Sequence, residues 1–334
     1  MSVATEEGLT AALRRMGLVG PHERPVFTPL AGGVSSDIHR VDAARGAFCV
    51  KRALARLKVD AEWTAPVERN RYEVAWLQTA RAIAPAFVPA VLGHDEASGA
   101  FAMEWLDPEQ HPVWKSELRD GVIDPHTAAE AGRGIASIHA ATFDDERIAA
   151  RFPTDAIFHA IRLEPYLLAT ARAHPDRAAA LEALAETTAT TRCALVHGDV
   201  SPKNILVGPR GPILLDAECA WYGDPAFDLA FCLNHMLLKC VWRPQWREEY
   251  LGCFDALARA YVHRMELRGP AIARRAAHLL PALFLGRVDG KSPVEYITRD
   301  EDRDRVRRVS RALLATPPAD LAHVRDAWRS ELAS

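Results

Sequence analysis

The sequence predicts an α+β chain in two lobes, a small antiparallel sheet carrying one helix and then a larger, mostly helical part. Two observations lead there. Short β-branched runs separated by turns occupy the first third, and alanine- and leucine-rich helical patterns broken by proline and glycine dominate beyond Pro125. With 334 residues the chain can supply two lobes of ordinary size, each with a buried core.

The strand-like runs are Pro25–Leu30, Ile38–Val41, Ala47–Lys51, Ala86–Leu92 and Ala100–Trp105. Between the third and fourth, Val67–Ala84 has helical spacing, with Tyr72, Trp76, Leu77 and Ala80 available for one apolar face. After Leu106 the texture changes to Pro108, Pro112 and mixed charges, which puts the boundary near Asp107 and the lobes at 1–106 and 107–334. Inside the helical part, Ala194–Val196, Ile205–Val207 and Ile213–Leu215 are three short strand-like runs joined by polar loops, and loops held between strands are good places for chemistry. Arg303–Arg311 is basic, but Asp302 and Asp304 are interleaved with it, as on a solvated helix face.

Composition narrows the function classes. The chain is 49% hydrophobic and 25% charged, near the globular average, and its formal net charge of −3 gives no footprint for nucleic acid or an anionic membrane surface. No apolar run is long enough to span a bilayer, and Glu6 and Glu7 stand where a signal peptide needs a basic end, so a cytoplasmic protein is expected. The six cysteines are scattered without a C-x-x-C pair, which argues for reduced, mostly buried thiols and against a zinc site or a disulfide framework.

The chemistry lies in LVHGDVSPKNILV, where His197, Asp199 and Asn204 keep the spacing of the H-R-D-x-x-x-x-N loop used for phosphoryl transfer, with Gly198 in place of the arginine. In such a loop the aspartate reaches the acceptor hydroxyl as base while the asparagine turns its carbonyl oxygen toward a metal on the phosphates. Twelve positions after Asn204, Asp216 ends the run Ile213–Leu215, where a second carboxylate would hold Mg²⁺. Asp and Asn also favour turns, but two such motifs at this distance argue for Asn204 and Asp216 as metal ligands.

HGDVSPKN followed by LDAECAWYGDPAFDLA resembles the aminoglycoside phosphotransferase and choline kinase superfamily, whose fold is related to the protein kinases. The resemblance implies a two-lobed kinase-like fold with ATP, or GTP, and Mg²⁺ in the cleft, and a small-molecule hydroxyl as acceptor. It assigns Lys51 to the α- and β-phosphates, with Glu73 as its helix partner and Glu68 as an alternative. It brings the segment AGGVSSDI, with Gly33, Ser35 and Ser36, near the phosphates, although Gly32 and Gly33 alone are also a hairpin signal. Met103, Glu104 and Trp105 fall where the adenine-binding hinge is expected, with core packing an equal reading for Met103 and Trp105. His197, Asp224 and Asp228 are given architectural roles, Asp228 steadying the catalytic loop and Asp224 capping a helix that starts at Pro225.

The acceptor side is less defined. Glu218 and Asp289 lean toward a cationic acceptor, and Trp221 with Tyr222 are candidates to face a quaternary amine, with core packing as the competing reading. Ser292, Pro293 and Glu295 read as a capping box opening a helix, and Lys291 and Tyr296 are further candidate contacts. A protein kinase is disfavoured because few residues separate Asp216 from the helix near Pro225 and no A-P-E sequence follows. A nucleotide-binding pseudokinase is the rival from another class, disfavoured by the presence of Lys51, Asp199, Asn204 and Asp216.

Overall fold

The structure, a computed structural model, describes residues 3–30, 36–53 and 69–334. It opens with a helix, α1 (Val3–Arg15), followed by β1 (Val26–Pro29), β2 (Ser36–Ala43), β3 (Gly46–Ala53), α2 (Arg69–Ile83), β4 (Val91–Asp95) and β5 (Ala100–Glu104). The strands form one five-stranded antiparallel sheet in the order β1-β2-β3-β5-β4. Two-residue alternation sorts its faces. Phe48, Val50, Ala100 and Ala102 pack with Leu9, Ala12 and Leu13 of α1. Phe101, on the other parity, packs with Val74, Trp76, Leu77 and Ala80 of α2. Lys51 shares the parity of Cys49 and is directed to the α2 side by the same alternation.

Two differences from the sequence reading stand out. The lobe has a second helix, α1, whose buried positions Leu9, Ala12 and Leu13 amount to one turn of apolar pattern, too little to register as periodicity. The run Ala86–Leu92 is not a strand along its length. Pro85 and Pro89 have no N–H to give to a ladder, so Phe87 and Val88 are buried in a turn and pairing starts at Val91.

The remainder is mostly helical: α3 (Trp114–Arg119), α4 (Pro125–Ala141), α5 (Glu146–Arg151), α6 (Asp155–Phe158), α7 (Ala169–Ala173) and α8 (Ala178–Thr190) precede the small strands. A π-helical segment, His159–Leu168, joins α6 to α7 and contains Pro165. Then β6 (Ala194–Val196) pairs antiparallel with β9 (Trp221–Gly223), and β7 (Ile205–Gly208) with β8 (Gly211–Leu214). These two ribbons hold the loops 197–204 and 215–220 between them. The chain ends with α9 (Ala226–Trp242), α10 (Arg247–Arg264), α11 (Gly269–Asp289), α12 (Asp300–Ala315) and α13 (Leu321–Ala333).

Helix α9 is the axis of this part, buried on every side from Ala226 to Cys240 and packed against α10 and α11. On α12, Arg303, Arg305 and Arg307 pair with Asp300, Glu301 and Asp304 of the same helix, as on a solvated face. All six cysteines are free thiols. Among the described residues no helix is long and apolar enough to cross a membrane.

Candidate active site

The loop between β6 and β7 is fixed from below by one carboxylate. Asp228, fully buried in the first turn of α9, accepts the backbone N–H groups of His197 at 2.7 Å and Gly198 at 2.8 Å. His139 Nε2 lies 3.1 Å from the same carboxylate, and its Nδ1 is 2.8 Å from the Tyr261 hydroxyl. His197 in turn accepts the Asp199 N–H at Nδ1, 3.1 Å, so its proton sits on Nε2 and is given to the Leu215 carbonyl at 3.1 Å. Burial lowers the His197 pKa, which keeps this neutral tautomer in place.

Gly198 explains the missing arginine. Its φ is +79°, and a Cβ there would lie 2.6 Å from the Cys219 carbonyl oxygen. Any side chain would be strained and would collide with backbone. A guanidinium is supplied from elsewhere: Arg162, on the π-helical segment, donates from Nε to the Gly198 carbonyl.

Asp199 is almost wholly buried, with Arg162 Nη2 at 3.1 Å and Lys203 Nζ at 3.2 Å from Oδ2. Burial would raise its pKa, but the two cations outweigh it and hold the carboxyl below its usual value, so Asp199 is ionised. The Asn204 amide nitrogen donates to Asp199 Oδ2 at 2.8 Å and to its carbonyl at 3.0 Å. That orients Asn204 Oδ1 away, and no described group donates to it.

Asp216 follows β8 with a φ of +68°, a left-handed conformation that an L-residue adopts at a cost and that aspartate tolerates better than most. The Leu215 N–H bonds to the Asn204 carbonyl at 2.9 Å, which ties the two candidate metal ligands together. Lys51 Nζ lies 2.5 Å from Asp216 Oδ1 and 2.8 Å from Glu73 Oε1. Burial disfavours the ammonium, yet Asp216 and Glu73 raise the Lys51 pKa and keep it charged. Asp216 is 29% exposed, and its second oxygen has no protein partner among the described residues.

The donor set suits Mg²⁺ bound together with phosphates. Asn204 Oδ1 and Asp216 are hard oxygen donors, and among the described residues no cluster of three or more His, Cys, Asp or Glu groups could hold a metal alone. A site of one carboxylate and one amide oxygen therefore needs phosphate oxygens and water to complete an octahedron.

The other sequence candidates divide. Gly33 and Ser35 lie outside the described residues, as does Glu68; Ser36 is buried at the start of β2. Met103 and Glu104 end β5, with Met103 packed on the core. The Glu104 carboxylate accepts the Ala90 N–H at 2.7 Å, and Arg40 lies over the Trp105 ring at 4.9 Å.

Four acceptor candidates are otherwise engaged. Trp221 is buried, stacked on Phe158 at 4.2 Å, and gives its Nε1–H to Asp155 at 2.8 Å. Removing ~150–250 Å² of ring from water at ~25 cal/mol/Å² gives roughly 4–6 kcal/mol, against ~0.5–2 kcal/mol for a cation–π contact, so core packing wins. Tyr222 is buried too, its hydroxyl 3.2 Å from the Thr142 carbonyl. Asp289 is gripped by the Nε and Nη2 donors of Arg307, at 2.9 and 2.6 Å, and by His174 at 2.8 Å. Glu218 accepts from Arg69 Nε at 2.9 Å. The lean toward a cationic acceptor thus loses its carboxylates and its aromatics.

Two helix starts also move. No helix opens at Ser292, because its hydroxyl and carbonyl are both taken by Arg287 Nη1, at 3.0 and 2.6 Å; the next helix begins at Asp300. Helix α9 begins at Ala226, one residue later than the Asp-Pro signal suggested, although Asp224 still accepts the Ala226 N–H at 3.0 Å and holds Arg275.

Beside Asp199 the structure opens a cavity of about 210 Å³ lined by Lys115, Lys203, His235, Lys239, Arg287 and Tyr296 among others. Tyr296 was a candidate from sequence; Lys115, His235, Lys239 and Arg287, from three separate helices, were not. A signal was present in α9: Phe231, His235 and Lys239 recur every four residues, and the last two are among the few polar residues of a mostly apolar helix.

Residues 26–262, more than half of the chain, match the phosphotransferase enzyme family. Among curated relatives, the methylthioribose kinase of Pectobacterium atrosepticum is 26% identical over 58% of this chain and 55% of its own length. Methylthioribose kinase 1 of Oryza sativa subsp. japonica is 25% identical over 71% of this chain and 61% of its own length. The chain therefore spans little more than half of each of these relatives. Two solved structures share the fold. A choline/ethanolamine kinase family protein from Mesorhizobium loti has a TM-score of 0.52 at 15% identity, covering 97% of this chain and 99% of its own. Choline kinase from Cryptosporidium parvum has 0.53 at 9%, covering 98% and 94%.

Proposed function

We propose, from the premise that this chain belongs to the phosphotransferase enzyme family, that it is a small-molecule kinase moving the γ-phosphoryl group of ATP, with GTP as the alternative donor, onto a hydroxyl. The observation that carries the reading is that Asn204 donates directly to Asp199, that Leu215, the residue before Asp216, donates to the Asn204 carbonyl, and that Lys51 joins Asp216 from the opposite lobe. The nucleotide would lie between residues 1–106 and 107–334.

In the proposed step the acceptor hydroxyl oxygen bonds to the γ-phosphorus while the bond to the β–γ bridging oxygen breaks, and the nucleoside diphosphate leaves with that oxygen. Asp199 takes the hydroxyl proton. A carboxylate held below its usual pKa is a weak base, worth ~10²–10⁴-fold at most, which suits a loose transition state where the hydroxyl proton is given up late. Lys51 binds the α- and β-phosphates, and Glu73 keeps its ammonium aimed. Mg²⁺, held by Asn204 and Asp216, would neutralise charge on the β- and γ-phosphate oxygens. Backbone at Met103–Trp105 and the segment with Gly33, Ser35 and Ser36 are the remaining nucleotide contacts in this reading.

The resemblance implies an aminoglycoside-like antibiotic, an amino alcohol, a sugar or a hydroxy amino acid as acceptor, and the relatives named methylthioribose kinase support the sugar among these. The test is acceptor-dependent ADP release with Mg²⁺–ATP, run on wild type and Asp199→Ala. Release that needs both an acceptor and Asp199 is expected. Nucleotide binding without turnover on any acceptor would instead identify a pseudokinase.

A further inference from the structure

The charges around the cavity do not balance. Its acids are Asp199 and Glu295, and its cations are Lys115, Lys203, Lys239 and Arg287. Lys203 pairs with Asp199, and Lys115 pairs with Glu295. Lys239 and Arg287 are left with no carboxylate partner among the described residues. Lys239 is 1% exposed and its ammonium makes no hydrogen bond or ion pair with a described residue; its Nζ lies over the Trp242 and Tyr296 rings at 5.2 and 5.3 Å.

The same wall carries orphaned polar atoms. His235 Nε2, Arg287 Nε and the Tyr296 hydroxyl are buried without a hydrogen-bond partner. A buried polar group without a partner is costly, and three beside an unpaired buried lysine in one cavity call for a ligand that accepts hydrogen bonds. Burial, then Lys115, brings the Lys239 pKa down to about 7, so the partial compensation from Glu295 falls short of what this charge lost on burial. Lys51, Asn204 and Asp216 do not line the cavity whereas Asp199 does, which puts it on the acceptor side of the base.

We propose that the acceptor is a small anion, a hydroxylated molecule bearing a carboxylate or phosphate group that Lys239 and Arg287 bind, with His235 and Tyr296 as hydrogen-bonding neighbours and its free hydroxyl turned to Asp199. The inference rests on the kinase reading above and replaces a cationic acceptor with an anionic one. Positive charge on the acceptor would meet two cations that have no carboxylate paired with them among the described residues. At about 210 Å³ the cavity is also smaller than the ~300–1,000 Å³ that drug-sized ligands occupy, which suits one short or single-ring acceptor. Helix α9 links the two ends of the site: Asp228 in its first turn holds the Asp199 loop, while His235 and Lys239 project from later turns on one face.

The test compares wild type with Lys239→Met and Arg287→Met in two arms. In the first, calorimetry without nucleotide measures binding of ribonate and ribose 5-phosphate, with ribose and choline as neutral and cationic comparisons. In the second, ADP release is followed with the same four compounds as acceptors. Binding of at least one anion, weakened about 10–100-fold in both variants, with KM for ATP unchanged, is the expected result; that range is what losing a charge-assisted hydrogen bond gives. Ribonate against ribose 5-phosphate tells carboxylate from phosphate. If ribose or choline is the better ligand and the substitutions do not matter, the inference fails while the kinase reading stands. If the variants raise KM for ATP instead, these cations serve the nucleotide and the inference fails. Anion binding that depends on Lys239, with no ADP release from any compound, supports the anion site and counts against the kinase reading. No anion binding in either arm overturns the proposal.

Discussion

Asp228 touches no reactant in this account, yet its replacement by asparagine should disable the site. The carboxylate uses two oxygens to receive the N–H groups of His197 and Gly198 and stands beside His139. An asparagine keeps one acceptor and turns an NH₂ toward the second backbone N–H, leaving donor against donor in a fully buried place. Hydrogen bonds to a charged group contribute ~1.5–3 kcal/mol, and an unsatisfied buried donor costs ~1–3 kcal/mol, so the loss should be roughly 2–4 kcal/mol. Against a total of ~5–15 kcal/mol the variant still folds at 25 °C. Its loop, however, shifts away from the donor-on-donor contact, and a displacement of ~1 Å at reacting groups is worth ~10²-fold in rate. Urea unfolding gives the stability and steady-state kinetics the rate; nucleotide affinity should stay near wild type because Lys51 is untouched. Asp228→Asn within about 0.5 kcal/mol of wild type and within twofold in kcat would refute the claim that this carboxylate positions the loop.

Lys51→Ala should weaken productive ATP binding while leaving the fold intact. Glu73→Gln should give a loss that is not additive with it, since the two form one ion pair at 2.8 Å; additive losses in kcat/KM would dissolve the pair. Lys239→Met should stabilise the ligand-free protein. The folded-state pKa of about 7 lies below the ordinary lysine value, so the unfolded chain binds the proton more tightly; the penalty is full below pH 7 and fades as pH rises toward about 10.5. A gain on the order of a few kcal/mol at pH 7 that shrinks by pH 10 is expected in urea titrations; an equal or less stable variant at pH 7 would show that Lys239 is not held against its charge.

What the sequence disclosed and what it hid follow from chain distance. His197, Asp199 and Asn204 share one loop and Asp216 ends the next hairpin, so their spacing is a local property and was legible. Strands with clear alternation, such as Gly46–Ala53, were legible for the same reason. Of the acceptor wall Tyr296 was a candidate from sequence, whereas Lys115, His235, Lys239 and Arg287 were not, because they meet only after α3, α9 and α11 have packed. Trp221 and Tyr222 show the converse: an aromatic pair beside a catalytic motif looks the same in sequence whether it faces ligand or core, and the ring of Phe158, supplied from α6, decided it. The Ser292 capping signal failed because a remote arginine had already claimed the serine.

The central claim is a division of labour between two carboxylates, Asp199 for the acceptor hydroxyl and Asp216 for the metal. Calorimetric titration of Asp199→Asn and Asp216→Asn with ATP, with and without Mg²⁺, alongside kcat for each, tests it most directly. Asp199→Asn should lose kcat strongly and keep its Mg²⁺-dependent nucleotide affinity. Asp216→Asn should lose both, with partial recovery at high Mg²⁺. If Asp199→Asn abolishes the metal-dependent binding and Asp216→Asn retains it, the two roles are reversed and the account is wrong at its centre.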